Sequence, residues 1–253
     1  MPPFRLHPTT ARAGSRLALL IGAGLAAGAP QAQVSQPDLD AAERLVIAGT
    51  NEFRVSARLA PTKPDPKLSA AARDFAAYMA RTDQYGHEAD GRSPPDRAQA
   101  HGYAYCAVAE NIAFLMNSAG YSSEALASGA LDGWKQSPQH RRNLLEPEVV
   151  DTAVAFAQSP TSQRYYAVQL FGRPRSAMLR FSVVNATDRP MRYQMAGQSF
   201  DLPPASTQTH EQCRTGALTV GSPSGGGPRI APSDGRRYTL ESTGGTQVRV
   251  REE

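Results

Sequence analysis

Residues 103–113 read YAYCAVAENIA, a run too apolar and too rich in strand-forming residues to be a simple loop. On its N-terminal side the hydrophobic period changes. Leu39, Ala42, Val46, Gly49 and Phe53 recur at spacings of three and four, one face of a helix running to about Leu59, where PTKPDP (61–66) breaks it. Ser69 is placed to cap a second helix, whose face is Ala72, Phe75, Tyr78 and Met79 and which gives out near Gly86. Ser93 followed by Pro94 signals a short third helix that Gly102 ends. On the C-terminal side a fourth helix fits Ser122 to Trp134, with Ala127, Leu131 and Trp134 on its apolar face. Thr152 to Gln158 and Arg164 to Phe171 then alternate like strands around the turn PTSQ (160–163). Helices bracketing a small antiparallel sheet follow, an α+β arrangement.

After this region the period becomes that of strands alone. Leu179, Phe181 and Val183 alternate, NATDRP (185–190) turns the chain, and Met191, Tyr193 and Met195 alternate again; Tyr238, Leu240, Val248 and Val250 repeat the pattern around a glycine turn. The reading is a small antiparallel β-sandwich-like module over 177–253, behind a helix-rich domain over 38–175. The Asn185-Ala186-Thr187 sequon reads as turn chemistry.

The first 32 residues carry Arg5, Arg12 and Arg16 but no acidic group, then an apolar run, LALLIGAGLAAGA (17–29). This is the pattern of a signal peptide, with cleavage expected near Ala32 and export to the periplasm or the medium. Without those three arginines the formal charge of +4 falls to +1, which leaves no electrostatic footprint for nucleic acid. No other segment approaches the length of a membrane span, so none is expected in the mature chain. Two cysteines exclude a disulfide-dense scaffold and a Cys-based zinc finger. Cys106 and Cys213 lie one in each proposed domain and either bridge them, as export permits, or stay unpaired with Cys106 buried in its strand.

The chemistry sits in three segments: GHEADGRSPPDR (86–97), AENIA (109–113) and WKQSPQHRRNLL (134–145). Each alone is weak. His87 and Glu88 do not make a zincin helix, because the fifth place of that motif is Gly91, and no GxSxG elbow exists for a serine nucleophile.

Together, and in this order, the segments resemble the CAP superfamily (cysteine-rich secretory, antigen 5, pathogenesis-related 1) and in detail its bacterial secreted branch. The matching residues begin with Asn51, Arg54 and Leu68. They continue through His87, Gly91, Pro94, Arg97, Gly102, Tyr103, Glu110-Asn111-Ile112, Trp134, Ser137, His140-Arg141 and Asn143-Leu144-Leu145, and end with Tyr166, Gln169 and Phe171. The resemblance covers about half the chain and none of the C-terminal module. It implies an α-β-α sandwich with an open cleft where His87, His140 and Glu110 converge, and where Ser137, Asn111 and Tyr103 contribute to ligand binding. The second glutamate that many eukaryotic members carry between the Trp and the second His is absent. Thr152-Ala153-Val154-Ala155 replaces the family's glycine-valine-glycine strand, and the alanines are expected to narrow the space beside the cleft.

Two imidazoles and a carboxylate suit zinc or another divalent metal with a position left open for water, or Glu110 supports one imidazole from behind. Ser137-Pro138 is expected to cap a short helix with His140 near its N-terminal end, where a neutral imidazole is favoured. Arg97 is expected in a fold-holding ion pair, Trp134 in the core, and Asn143 on the backbone. These readings give a secreted binding protein for a lipid, peptide or cell-envelope component. The alternative is a metal-dependent peptidase with Glu110 as base, against which the missing glutamate counts. A third possibility makes the β module the partner-binding part.

Overall fold

The computed structural model describes residues 36–214, 216–221, 227–244 and 247–253. The expected signal segment lies outside these residues.

Asp38 opens α1 (Leu39–Ser56) by accepting from the Ala41 N–H. A two-residue strand β1 (Lys63–Pro64) follows, then α2 (Pro66–Thr82). The cap of α2 is Asp65, whose side chain accepts from the Lys67 and Leu68 N–H groups, and Ser69 lies inside the first turn. Pro66 moves the start forward, because proline suits the first helical position and the aspartate before it is a strong cap. Helix α3 (Pro94–Ala100) starts at Ser93 through a reciprocal cap with Asp96. Strand β2 (Tyr105–Leu115) begins two residues into the YAYCAVAENIA run and ends two residues beyond it. Then come α4 (Ser123–Gln136), capped by Ser122, α5 (Pro138–Leu144), β3 (Asp151–Gln158) and β4 (Tyr165–Pro174).

The four strands form one sheet in the order β1-β3-β4-β2; β2, β4 and β3 run antiparallel and β1 lies parallel to β3. Alternation along the strands sorts side chains to two faces. Ala153, Ala155, Tyr166, Val168 and Leu170 pack with Leu68, Phe75 and Met79 of α2, whereas Val154, Phe156, Tyr165, Ala167 and Phe171 pack with Val46 of α1 and Leu131 and Trp134 of α4. Helices therefore cover both faces, the α-β-α sandwich. Ala153 and Ala155 face α2 in the core, 1% and 0% exposed, so their methyl groups fill helix-to-sheet space.

Arg54, fully buried on α1, ties down the chain between α5 and β3: its guanidinium donates to the carbonyls of Ala60, Leu144, Glu146 and Val149. Tyr103 donates from Oη to Asp151 Oδ2 at 2.7 Å beneath Gly172, where a Cβ would sit 2.3 Å from that hydroxyl.

A single 3-10 turn (Arg175–Ala177) leads into the second half. Strands β5 (Leu179–Asn185), β6 (Met191–Met195), β7 (Gln198–Leu202), β8 (Thr207–Gln212), β9 (Leu218–Val220), β10 (Arg229–Ile230), β11 (Arg237–Gly244) and β12 (Gln247–Glu252) form two four-stranded sheets, β10-β9-β6-β7 and β12-β11-β5-β8. Pairing is antiparallel except between β5 and β11. Phe181, Val183, Tyr193, Met195, Tyr238 and Leu240, the alternating residues of the sequence, form the core between them. The sequon is closed as turn chemistry: Asn185 is fully buried and its amide donates to the carbonyls of Arg189, Leu202 and Pro203.

The described residues belong to one compact unit. Cys106 and Cys213 are disulfide-bonded. The β2–β4 register shifts between Tyr105 and Ala107, so Cys106 is the unpaired residue of a bulge, which turns its side chain out of the ladder toward the second half.

Candidate functional site

Glu110 sits near the middle of β2 with its side chain 1% exposed. Oε1 is 2.8 Å from His87 Nδ1 and Oε2 is 2.7 Å from Arg97 Nη2. Each oxygen thus has a strong partner, and because a carboxylate only accepts, His87 carries its proton on Nδ1 when neutral and keeps its Nε2 lone pair free.

Arg97, on α3, is the hub. Its Nη2 also donates to the His87 carbonyl at 2.9 Å, its Nη1 donates to Asp90 Oδ1 and the Arg92 carbonyl, and the guanidinium stacks 3.5 Å above the Phe75 ring. Two carboxylates and the stacking satisfy a cation that is 3% exposed. One buried side chain therefore fixes both the loop that carries His87 and the carboxylate that orients its ring.

His140 is third in α5, which two asparagines lash to β2. Asn111 Nδ2 donates to the His140 carbonyl, and Asn143 Nδ2 donates to the Glu110 carbonyl and to Asn111 Oδ1. His140 titrates below the usual imidazole range, first because burial disfavours its charged form and second because of the nearby His87 charge. Ser137 occupies the N-cap position of α5, but its hydroxyl makes no capping hydrogen bond; the extended backbone there and Pro138 suffice to start the helix. Among the described residues no hydrogen bond joins the Ser137 hydroxyl to His140 or Glu110.

Beside His140 and Ser137 opens a groove of about 540 Å³, walled by Tyr85, Phe114, Met116, Tyr121 and Trp134, with Gly129 and Gly133 of α4 opposite. Tyr85, Phe114 and Met116 are 47%, 48% and 64% exposed, and the Tyr85 and Phe114 rings meet edge to face. The Tyr85 hydroxyl titrates above its ordinary value, through burial and then the Glu110 charge. Asn111 and Tyr103 do not line this groove: Asn111 is wholly buried behind it, and Tyr103 is in the core at Asp151.

For a metal, the donor set is narrow. Among the described residues no group of three or more His, Cys, Asp and Glu is arranged to hold an ion. A zinc centre takes three or four protein ligands, and Glu110, with both oxygens engaged, fits the place behind a ligand and not that of one. The groove itself was not legible in the sequence beforehand. Its one local signal was the continuation of AENIA into Phe114, Leu115 and Met116, three large apolar residues beyond the motif.

The pattern of the cysteine-rich secretory protein (CAP) family matches residues 47–171, which hold every residue of this site. The uncharacterized protein YkwD of Bacillus subtilis is 27% identical over 122 residues, 48% of this chain and 44% of that protein, so the chain spans less than half the length of this curated relative. Among solved structures, an outer surface protein of Borrelia burgdorferi is similar at 18% identity and a TM-score of 0.45, over 52% of this chain and 91% of that one. An extracellular protein containing an SCP domain from Bacillus anthracis is similar at 21% identity and a TM-score of 0.46, over 53% of this chain and 41% of its own. Residues 47–171 of the chain thus form a domain of the cysteine-rich secretory protein (CAP) family.

Proposed function

We propose that this protein is exported and that its cleft binds an apolar ligand of the cell envelope, a lipid or a peptide, without chemical turnover. The observation that carries this reading is the double engagement of Glu110. A general base must be free to take a proton from water, whereas this carboxylate is clamped by Arg97 on one oxygen and His87 on the other, beside a large, open apolar groove. The signal-like N-terminal stretch supports export, and no helix among the described residues is long and apolar enough to cross a membrane.

The same geometry supports a divalent ion only as an exchangeable guest. His87 through Nε2 and His140 would hold it, with Glu110 steadying His87 from behind. In calorimetry with zinc, His87→Ala and His140→Ala would each abolish the heat of binding. The parent protein's thermal midpoint, measured without the ion, would be insensitive to prior chelation.

Native mass spectrometry of protein purified from its exported fraction tests the main reading. The expected result is one apolar molecule released per chain, diminished when Gly133→Leu fills the groove wall. Cleavage of casein or of a phospholipid at a rate that Glu110→Gln abolishes would overturn it.

A further inference from the structure

The groove does not lie on a face of the sheet. It wraps its edge. Strand β2 is outermost in the first sheet and pairs with β4 alone. Five successive residues, Ile112 to Met116, line the groove, although strand side chains alternate between faces. Ile112 belongs to the core under α2 and α3, whereas Ala113 and Leu115 pack with α1 and α4. A cavity that meets both sets is seated on the free edge of the strand.

On that edge the backbone carbonyl is answered at two of three places. The Glu110 carbonyl accepts from Asn143, and the Ile112 carbonyl accepts from both Trp134 Nε1 and the Tyr85 hydroxyl. Residues two apart in an antiparallel strand present their backbone groups to the same side. The N–H and C=O of Phe114 therefore point away from β4 as well, and among the described residues nothing takes them. Across the gap, a Cβ at Gly129 would collide with Leu115 at 2.6 Å and one at Gly133 would enter open space. Among the described residues no carboxylate, lysine or arginine lines the groove.

We infer that this edge accepts an extended, uncharged peptide segment as an added strand, whose backbone completes the N–H and C=O of Phe114 while an apolar side chain enters beside Gly133. An acyl chain fills the same volume but leaves both polar groups unanswered, and main-chain pairing is what gives edge addition its affinity. This names the ligand class of the cleft and rests on the binding reading above.

Trp134 is the chain's single tryptophan and lines the groove, so its fluorescence reports occupancy. The full chain is titrated with acetyl-SVLVS-amide, with the same peptide N-methylated at the leucine, with it N-methylated at both valines, and with oleate. One edge pairs with alternate amides only, so one methylated peptide is expected to bind at least tenfold more weakly than the parent and the other within threefold. Phe114→Pro removes the outward N–H and spares the ladder to β4. Phe114→Ala, which loses the same ring but keeps the N–H, is its reference, and the proline variant is expected to bind the parent peptide at least tenfold more weakly than the alanine variant. Equal affinities for the two methylated peptides overturn the inference even if Phe114→Pro fails to fold. Binding of oleate without the peptides overturns it and leaves the binding reading standing; no response to any probe overturns both.

Discussion

Arg97 and Glu110 form a buried ion pair at 2.7 Å, and the remaining oxygen of that carboxylate orients His87. Removing one member of such a pair strands the other in a low-dielectric site, which costs about 3 to 5 kcal/mol. Glu110→Gln is expected near the lower figure, since Asp90 still faces the arginine. Arg97→Met is expected near the upper, since it frees two carboxylates and the His87 loop together. Urea unfolding of the two variants checks both values, and a ¹⁵N spectrum of the imidazoles should show His87 losing its preference for a proton on Nδ1 in Glu110→Gln.

The pH dependence of stability has a worked sign. His140 is held below its ordinary value by burial and by the His87 charge, and His210 is lowered by burial in the core of the second half, where Tyr193 meets its Nε2 at 2.6 Å. A histidine whose folded pKa is depressed takes up its proton first in the unfolded chain. Stability is then full above about pH 6.5, the ordinary imidazole value, and declines as pH falls below it. Urea midpoints measured from pH 8 to pH 5 should drop progressively, and His210→Gln should flatten the decline. A midpoint constant over that range contradicts the burial of both rings.

The three segments that carry His87, Glu110 and His140 stood out only because together, in their order, they resemble a known family. Helices bracketing a small sheet were legible because periods of three to four residues and of two alternate along the chain, whereas the sandwich came with the resemblance. Three things were not. Ser69 offered a cap signal as good as that of Asp65 until the helix start was fixed by Pro66. The groove depends on β2 being an edge strand and on α4 passing it with two glycines, and strand order is a non-local property that no window of sequence contains. The bulge at Cys106 is hidden for the same reason, since it exists only relative to β4.

Asn185 supports the first turn of the second half. Its amide serves three carbonyls and its Oδ1 accepts from the N–H and hydroxyl of Thr187. Asn185→Ala leaves several buried groups unpaired, each costing on the order of 1 to 3 kcal/mol where the site does not relax. The expected loss is roughly 3 kcal/mol in chemical unfolding. In a glycosylating host the sequon is expected to stay unmodified once folded, because the acceptor nitrogen is inside; a mass increment at Asn185 of the folded protein would contradict this.

The Cys106–Cys213 bond spans 107 residues of sequence and joins β2, the strand that carries Glu110 and the groove, to the end of β8. Arg173, at the end of β4, reinforces the junction by donating to the Ala177 carbonyl and pairing with Glu148. Closing a loop of that length restricts the unfolded chain by about 4 to 5 kcal/mol in the chain-entropy estimate. Comparison of the oxidised protein with Cys106→Ser/Cys213→Ser by urea unfolding should show a loss approaching that figure. The loss acts on the unfolded state, so the groove should survive it: Trp134 fluorescence of the folded double variant is expected to match the parent. A changed Trp134 spectrum would instead mean that the bond holds β2 in place, and that its reduction opens or closes the site.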